Sequence, residues 1–461
     1  MAYLINSSGL VTTGTTGADL FQVESGGVGG STLKGLAGAD TITVNDGAST
    51  ATSVSFDLAG DKDKLALSGG SYAGGTIQLG AGADQFSGVG VSFSASTLKL
   101  GGGNDTLTLA ALTGNTFAAA GAKLLAGGGD DSITFSQPSG GSLSSLEIGL
   151  GAGADTLSLQ HSGGLSSANI YGGGGADSIV VSGIVSGAGF LLNGDSTVNG
   201  GGADTITFDV SITASTVKGK GGADVITVSA LTYSSRIEGN AGADSIVMSA
   251  GIVSTGNFIG GGSGNDTIEI GGAITGVSAG TLALGGGADS LYISALAVDD
   301  MTGLTIKGGA GADTIDIKGV GLSGHFAFDA LTDSTVTAYD TILSAAATGG
   351  IFSISAVMTT TLTTGVIIDS TSATINTGVV TDGILSGSDF KTSQSVTARA
   401  EFVDSKASTK GNVVFFEASD DDMYLFIQGG SSGTADDLVV NLDDAVVDAG
   451  FTLGSGNVTI S

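Results

Sequence analysis

The chain has 461 residues, of which 83 are glycine and one is proline, and it carries a formal charge of −30 from 44 acidic against 14 basic side chains. The glycines do not fall at every third position, which excludes collagen, and a hydrophobic share of 41% excludes a disordered linker. An excess of acids this large argues against nucleic-acid partners, because phosphate backbones are held by Lys and Arg.

There are no cysteines, so no disulfide framework exists. The opening stretch MAYLINSSGLV lacks a basic region followed by a long apolar run. It does not read as a secretory signal peptide, which predicts a protein that stays inside or leaves without N-terminal cleavage. No stretch reaches the roughly 18 apolar residues of a membrane helix, so no transmembrane segment is expected.

From residue 15 onward one short pattern recurs: glycines, then Ala-Asp, then polar and apolar residues in alternation. It reads GGGGADSIVV at 172–181, GGADVITVSA at 221–230 and GGAGADTIDI at 308–317. The aspartates mark fourteen copies: Asp19, Asp40, Asp63, Asp84, Asp105, Asp131, Asp155, Asp177, Asp204, Asp224, Asp244, Asp266, Asp289 and Asp313. Their spacing averages about 22 residues, a repeat length that belongs to stacked architectures.

Each interval holds two strand patterns. One follows the aspartate, as in Thr205-Ile206-Thr207-Phe208. The other precedes the glycines, as in STLKLGGG at 96–103. Period-2 alternation is the mark of a half-buried strand. Helices are not expected in the repeats, because glycine at this density costs about 1 kcal/mol per helical position. The predicted fold is therefore an all-β parallel solenoid of about 14 coils over residues 1–318, with a thin core of Val, Ile, Leu and Ala. Variable turns such as GASTATS at 47–53 are expected on the edge opposite the glycines. Past 318 the motif stops. The alternating runs of 319–461, among them NVVFFEAS at 412–419 and DDLVVNLDDA at 436–445, predict a C-terminal all-β capping or assembly domain.

Stacking places one aspartate per coil in a line at ~4.8 Å. Two carboxylates that close repel by about 3–4 kcal/mol at an effective dielectric near 20. A cation between coils reverses the sign. Calcium suits best, since it takes six to eight oxygens in loose geometry, and glycines at positive φ are expected to turn backbone carbonyls toward it. All fourteen aspartates are thus candidate metal ligands for multiple Ca2+ ions. The plainer reading is that they solvate turns, where Asp and Gly are common. The copies TTGADL (15–20) and AGDKDKL (59–65) are poor in glycine and are expected to be empty, with Lys62 and Lys64 replacing the ion's charge.

These residues resemble the calcium-binding nonapeptide GGxGxDxUx of the RTX (repeats-in-toxin) β-roll family. The match covers about two-thirds of the chain and includes GGGNDTL at 101–107, GGGDDSI at 127–133 and GGSGNDTI at 261–268. One motif per coil, rather than one per nine residues, departs from that family and implies a single calcium-bearing edge. The segment DDMYLFIQGGSSGTADDLVVNL at 421–442 is similar to the C-terminal region of RTX-type surface-layer and type I-secreted proteins. The resemblance implies an uncleaved, C-terminal export signal and an extracellular, cell-surface location. It also implies a self-assembling, surface-layer-like structural role, with copies of the chain as partners and cell-surface polysaccharide as a further one. A virion structural protein (fibre, horn or capsid decoration) is the alternative, and an adhesin or matrix protein a third.

No catalytic residues are expected. The chain has two histidines, His161 and His325, and so no HExxH zinc site. A lipase would need a G-x-S-x-G elbow before a helix, an order that GGSGN at 261–265 does not fit, and no phosphate loop or thiol nucleophile is present. Asp436 and Asp437 read as a solvated turn or one further cation site.

Overall fold

The computed structural model describes residues 1–343 apart from breaks at 7, 25–28, 112–120, 138–142, 162–163, 184, 186–188, 196–200, 254–255, 276, 278, 295–302, 318–324, 329, 331–332 and 336. Beyond 343 it describes 351–353, 363–364, 367–368, 375–376, 384–385, 395–406, 412–417, 422–429, 433–442, 451–454 and 457–460. The fold is almost entirely β: a parallel β-solenoid followed by a C-terminal β region. It divides into two compact units, Met1–Leu231 with Ser235–Ile237, and Thr232–Ser234 with Glu238–Ser461.

In the first unit, each coil gives one strand to each of two parallel sheets. Leu20–Val23, Thr41–Thr52, Lys64–Ala73 and Gln85–Val89 pair in sequence in one sheet, and the series runs on to Val225–Val228. Thr76–Ala81, Thr97–Gly102, Lys123–Gly128 and Glu147–Ala152 do the same in the other. Register is fixed by the apolar pattern, because a one-residue slip would turn every core side chain to solvent. Phe21 is thus in register with Ile42, Ile42 with Leu65 and Leu65 with Phe86, and none of the four is more than 2% exposed. Ile206 and Phe208 are buried while Thr205 faces water, as the alternation predicts.

The core departs from the expected aliphatic composition. Phe21, Phe56, Phe86, Phe93, Phe135, Phe190 and Phe208 are among the largest fully buried side chains. Phe86 meets Phe93 edge-on at 6.3 Å, and Phe190 meets Phe208 at 6.1 Å. The interior is therefore wide enough to take rings, which supply more apolar area per coil than Val or Ala. The segment 47–53 also differs from expectation. Residues 47–52 belong to the strand Thr41–Thr52, which keeps pairing through two register shifts, and the chain turns at Ser53, whose φ is 54°.

In the second unit, Ser245–Met248, Thr267–Ile270, Ser290–Ile293, Thr314–Ile317 and Asp340–Leu343 form one parallel series. Phe258–Ser263, Gly280–Gly286, Leu304–Ala310, His325–Ala327 and Ile351–Ser353 form the other. Coil pairing thus continues past residue 318. Leu438–Leu442 then pairs parallel with Asp340–Leu343 and carries the antiparallel run Asn412–Glu417, Met423–Ile427, while Asn457–Ile460 lies antiparallel on Ile351–Ser353. The C-terminal region is not wholly β, because Val396–Lys406 is an α-helix and Thr434–Asp436 a single 3-10 turn. Of the run 350–370, only 351–353, 363–364 and 367–368 lie within the described residues, and the side chains of His161 and His325 lie outside them.

The glycine turns are a steric consequence of stacking. Gly101 has φ +127°, and a Cβ there would lie 1.6 Å from the Gly80 carbonyl oxygen of the coil before it. Its neighbour Gly102 has nothing within 4 Å of that position. Gly101→Ala is expected to cost about 1–3 kcal/mol or more, and Gly102→Ala to change stability by no more than about 0.5 kcal/mol. Urea unfolding of the two variants checks this, and equal losses would show that the turn is not sterically closed.

Candidate metal centre

All fourteen predicted aspartates lie immediately before a strand of the sheet that follows them, and the structure aligns them within each unit. The twelve between Asp40 and Asp313 other than Asp244 and Asp19, and those two as well, are no more than 3% exposed. The reading of these groups as solvated turn residues is therefore overturned.

One hydrogen bond orients the row. Within each unit, the backbone N–H of an aspartate donates to Oδ1 of the aspartate in the next coil. The donor–acceptor distance is 2.7 Å from Asp40 to Asp63, 2.8 Å from Asp84 to Asp105, and 2.7 Å from Asp131 to Asp155. In the second unit it is 2.8 Å from Asp244 to Asp266 and 2.9 Å from Asp289 to Asp313. The carbonyl of the same residue accepts from the first strand amide of the next coil, as from Lys64 to Asp40 at 2.8 Å. A charge-assisted bond of this kind is stronger than a neutral one. It gives the fixed position of the aspartate a reason that needs no metal.

The second carboxylate oxygen is a different matter. Oδ2 of Asp40, Asp63, Asp84, Asp105, Asp131, Asp155, Asp177, Asp204, Asp266 and Asp289 is buried without a hydrogen-bond partner. In several coils it leans into the space of a glycine five residues upstream. A Cβ at Gly172, Gly219 or Gly261 would lie 2.5, 2.1 or 2.4 Å from Oδ2 of Asp177, Asp224 or Asp266. Burial pushes Asp63, Asp131, Asp177 and Asp289 up to about 7 and Asp204 to about 8, against the opposing effect of the N–H bond. The charges of neighbouring aspartates contribute to each of these rises.

The positive-φ glycines Gly82 and Gly103 donate their amides along the stack, to the carbonyls of Gly102 at 2.7 Å and Gly128 at 2.6 Å. One expectation needs correction. Lys62 and Lys64 were expected to replace an ion beside Asp63. Both are exposed, whereas Asp63 is buried, and neither forms an ion pair among the described residues. Alternation along the strand that begins at Lys64 sends its side chain outward. At Asp19 the glycine-poor turn completes the carboxylate itself, since the Thr15 amide and its hydroxyl, at 2.9 Å, both donate to Oδ2.

Sequence reasoning missed two members. Asp340 continues the row, fully buried, with Oδ1 3.1 Å from the Asp313 amide. Burial and the charge of Asp313 raise its pKa. No glycines precede it, and the available signal was the Asp-Thr-Ile-Leu run at 340–343. Asp195 is the other. It is 1% exposed, and with Asp204 and Asp224 it brings three carboxylate oxygens within 4.8 Å of one another. In the C-terminal region Asp437 is buried rather than solvated. Its Oδ1 accepts from Gly429 at 2.7 Å, and burial pushes it up to about 7. Asp404 beside it accepts from Gln428 Nε2 and the Gly433 amide, each at 2.6 Å.

Every donor in the row is an oxygen, the set that hard cations such as calcium and magnesium prefer. The orphaned Oδ2 atoms fit such an ion. No protein-family model matches the chain, and comparison with curated proteins finds no match.

Acids whose pKa is raised on folding bind more protons folded than unfolded, so without metal they lower stability as pH rises. In chelator the melting temperature is expected to fall between pH 4 and pH 8, the window from the ordinary value of 3.8 to the raised values of about 7–8. Calorimetric scans across that range check the sign. A melting temperature that rises over the whole window would remove the buried row as a source of stress.

Proposed function

We propose that this chain is a non-enzymatic structural protein of a cell surface, held together by calcium bound along its aspartate row and assembling with copies of itself in a surface-layer-like array. The observation that carries this reading is the line of buried Oδ2 atoms without partners. An unpaired buried charge is costly, and it is relieved by a proton or by a cation. Near neutral pH a divalent ion does this for two carboxylates at once. Asp40 to Asp313 would hold the ions through Oδ2, while Oδ1 keeps its bond to the backbone. The ion would supply charge neutralisation and cross-linking between coils, with no chemistry performed on a substrate.

The absence of HExxH from the sequence supports the non-enzymatic reading. The net charge of −30 supports dependence of assembly on cations, since like-charged copies repel without them. Calcium in the millimolar range, where extracellular modules bind, is the expected working concentration.

Circular dichroism during calcium titration, followed by EGTA, is expected to show β signal gained and then lost, with electron microscopy showing ordered assemblies only in calcium. An unchanged spectrum and unchanged particles in EGTA would remove calcium from the proposal. Attachment to tail-like particles rather than sheets would favour the virion reading.

A single substitution separates metal from proton as the source of relief. Asp131→Asn keeps an Oδ1 acceptor for the Asp105 amide, which now donates at 2.7 Å, but removes the charge. It is expected to raise stability in chelator and to lower it in calcium, each by on the order of 1–3 kcal/mol. Denaturant midpoints in the two buffers give the answer, and a shift of the same sign in both would count against bound calcium.

A further inference from the structure

We propose that Asp195, Asp204 and Asp224 form a distinct cation site, tighter than the rest of the row, for one hard ion of calcium's size per chain. The inference deepens the calcium reading above, but it rests on a residue outside the repeat.

The interval from Asp177 to Asp204 is 27 residues, whereas those from Asp155 to Asp177 and from Asp204 to Asp224 are 22 and 20. Strand Phe190–Asp195 keeps the ordinary offset, with Asp195 in register with Gly173 of the coil before, so the additional residues lie between Asp195 and Asp204. An acid therefore stands where the preceding coil carries a glycine. Its Oδ1 accepts from the Gly202 amide at 3.2 Å. Its Oδ2 is buried without a hydrogen-bond partner, as is Oδ2 of Asp204. Both residues are 1% exposed. Three carboxylates each offer an oxygen within 4.8 Å of the others. Among the described residues no ammonium or guanidinium group forms an ion pair with Asp195 or Asp204.

The backbone adds room and further oxygens. A Cβ at Gly194 would lie 2.1 Å from Asp204 Oδ2 and 2.6 Å from the Gly219 carbonyl oxygen. One at Gly201 would meet the Asp195 carboxylate and lie 2.3 Å from the Gly221 carbonyl oxygen. No nitrogen or sulfur ligand belongs to the set, which selects a hard cation over zinc or copper. Asp195 adds a third carboxylate to the two that consecutive coils of the row bring together, which raises the charge that faces the ion, and ligand charge is one of the two levers that set calcium affinity.

The test is calorimetric titration of calcium chloride into chelator-stripped full-length protein, for wild type, Asp195→Asn, Asp195→Gly and the row variant Asp84→Asn. Asp195→Gly restores the residue found at the paired position, so it preserves a foldable coil if the asparagine does not, and circular dichroism checks both. The expected result is a class of one site per chain, at least tenfold tighter than the remainder, present in wild type and Asp84→Asn and lost in both Asp195 variants. Terbium luminescence should lose one site in the same two proteins. A tight class retained in both Asp195 variants, or none in wild type, overturns the proposal. A single ion bound by wild type and none by the Asp195 variants would uphold this site while sinking the reading of the row. Many equal sites unaffected by Asp195 would do the reverse.

Discussion

The bond from an aspartate amide to the carboxylate of the next coil governs the rest of the structure. It fixes the distance and the phase between coils at one point, and the strand pairings on both sheets propagate that phase. It also places a charged side chain in a space closed to water. Only one of the two carboxylate oxygens gains from the bond, so the contact that aligns the coils leaves a charge to be neutralised. Alignment of the coils and the cost of a buried charge therefore come from the same residue.

The rest of each coil accommodates that contact. At Gly101 there is no volume for a Cβ, because the neighbouring carbonyl occupies its place. The position five residues before the aspartate varies by coil, with the carboxylate filling the space at Gly219 and Gly261 and a side chain filling it elsewhere. Phenylalanines fill the interior at several coils, and Leu79, Leu100, Leu150 and Leu284, which stand five residues before Asp84, Asp105, Asp155 and Asp289, are fully buried. The polar edge and the apolar interior are thus two answers to one spacing.

Much of this was legible in the residues. The alternation of Thr205 to Phe208 marks strands and their inward faces, and the even spacing of Asp-Ser-Ile and Asp-Thr-Ile marks the coil. What escaped has identifiable causes. Asp340 lacks the glycines that made the other copies recognisable, although its backbone position needs only the pairing of Asp340–Leu343 with Thr314–Ile317. Asp195 stands at a register position that holds a glycine, Gly173, in the coil before, so the repeat pattern gave no reason to expect an acid there. Helix Val396–Lys406 falls in a region without repeats, where neighbouring apolar runs favoured a β reading.

Each coil of the row contributes one negative charge, whereas a calcium ion carries two positive ones. A run of identical gaps filled by such ions reaches electroneutrality when every second gap is occupied. Full loading would invert the local charge, and an empty row would leave it uncancelled. The repeat therefore has a natural stoichiometry of half, and it is the departures from regularity, such as an extra acid in one coil, that would pin where the alternation begins.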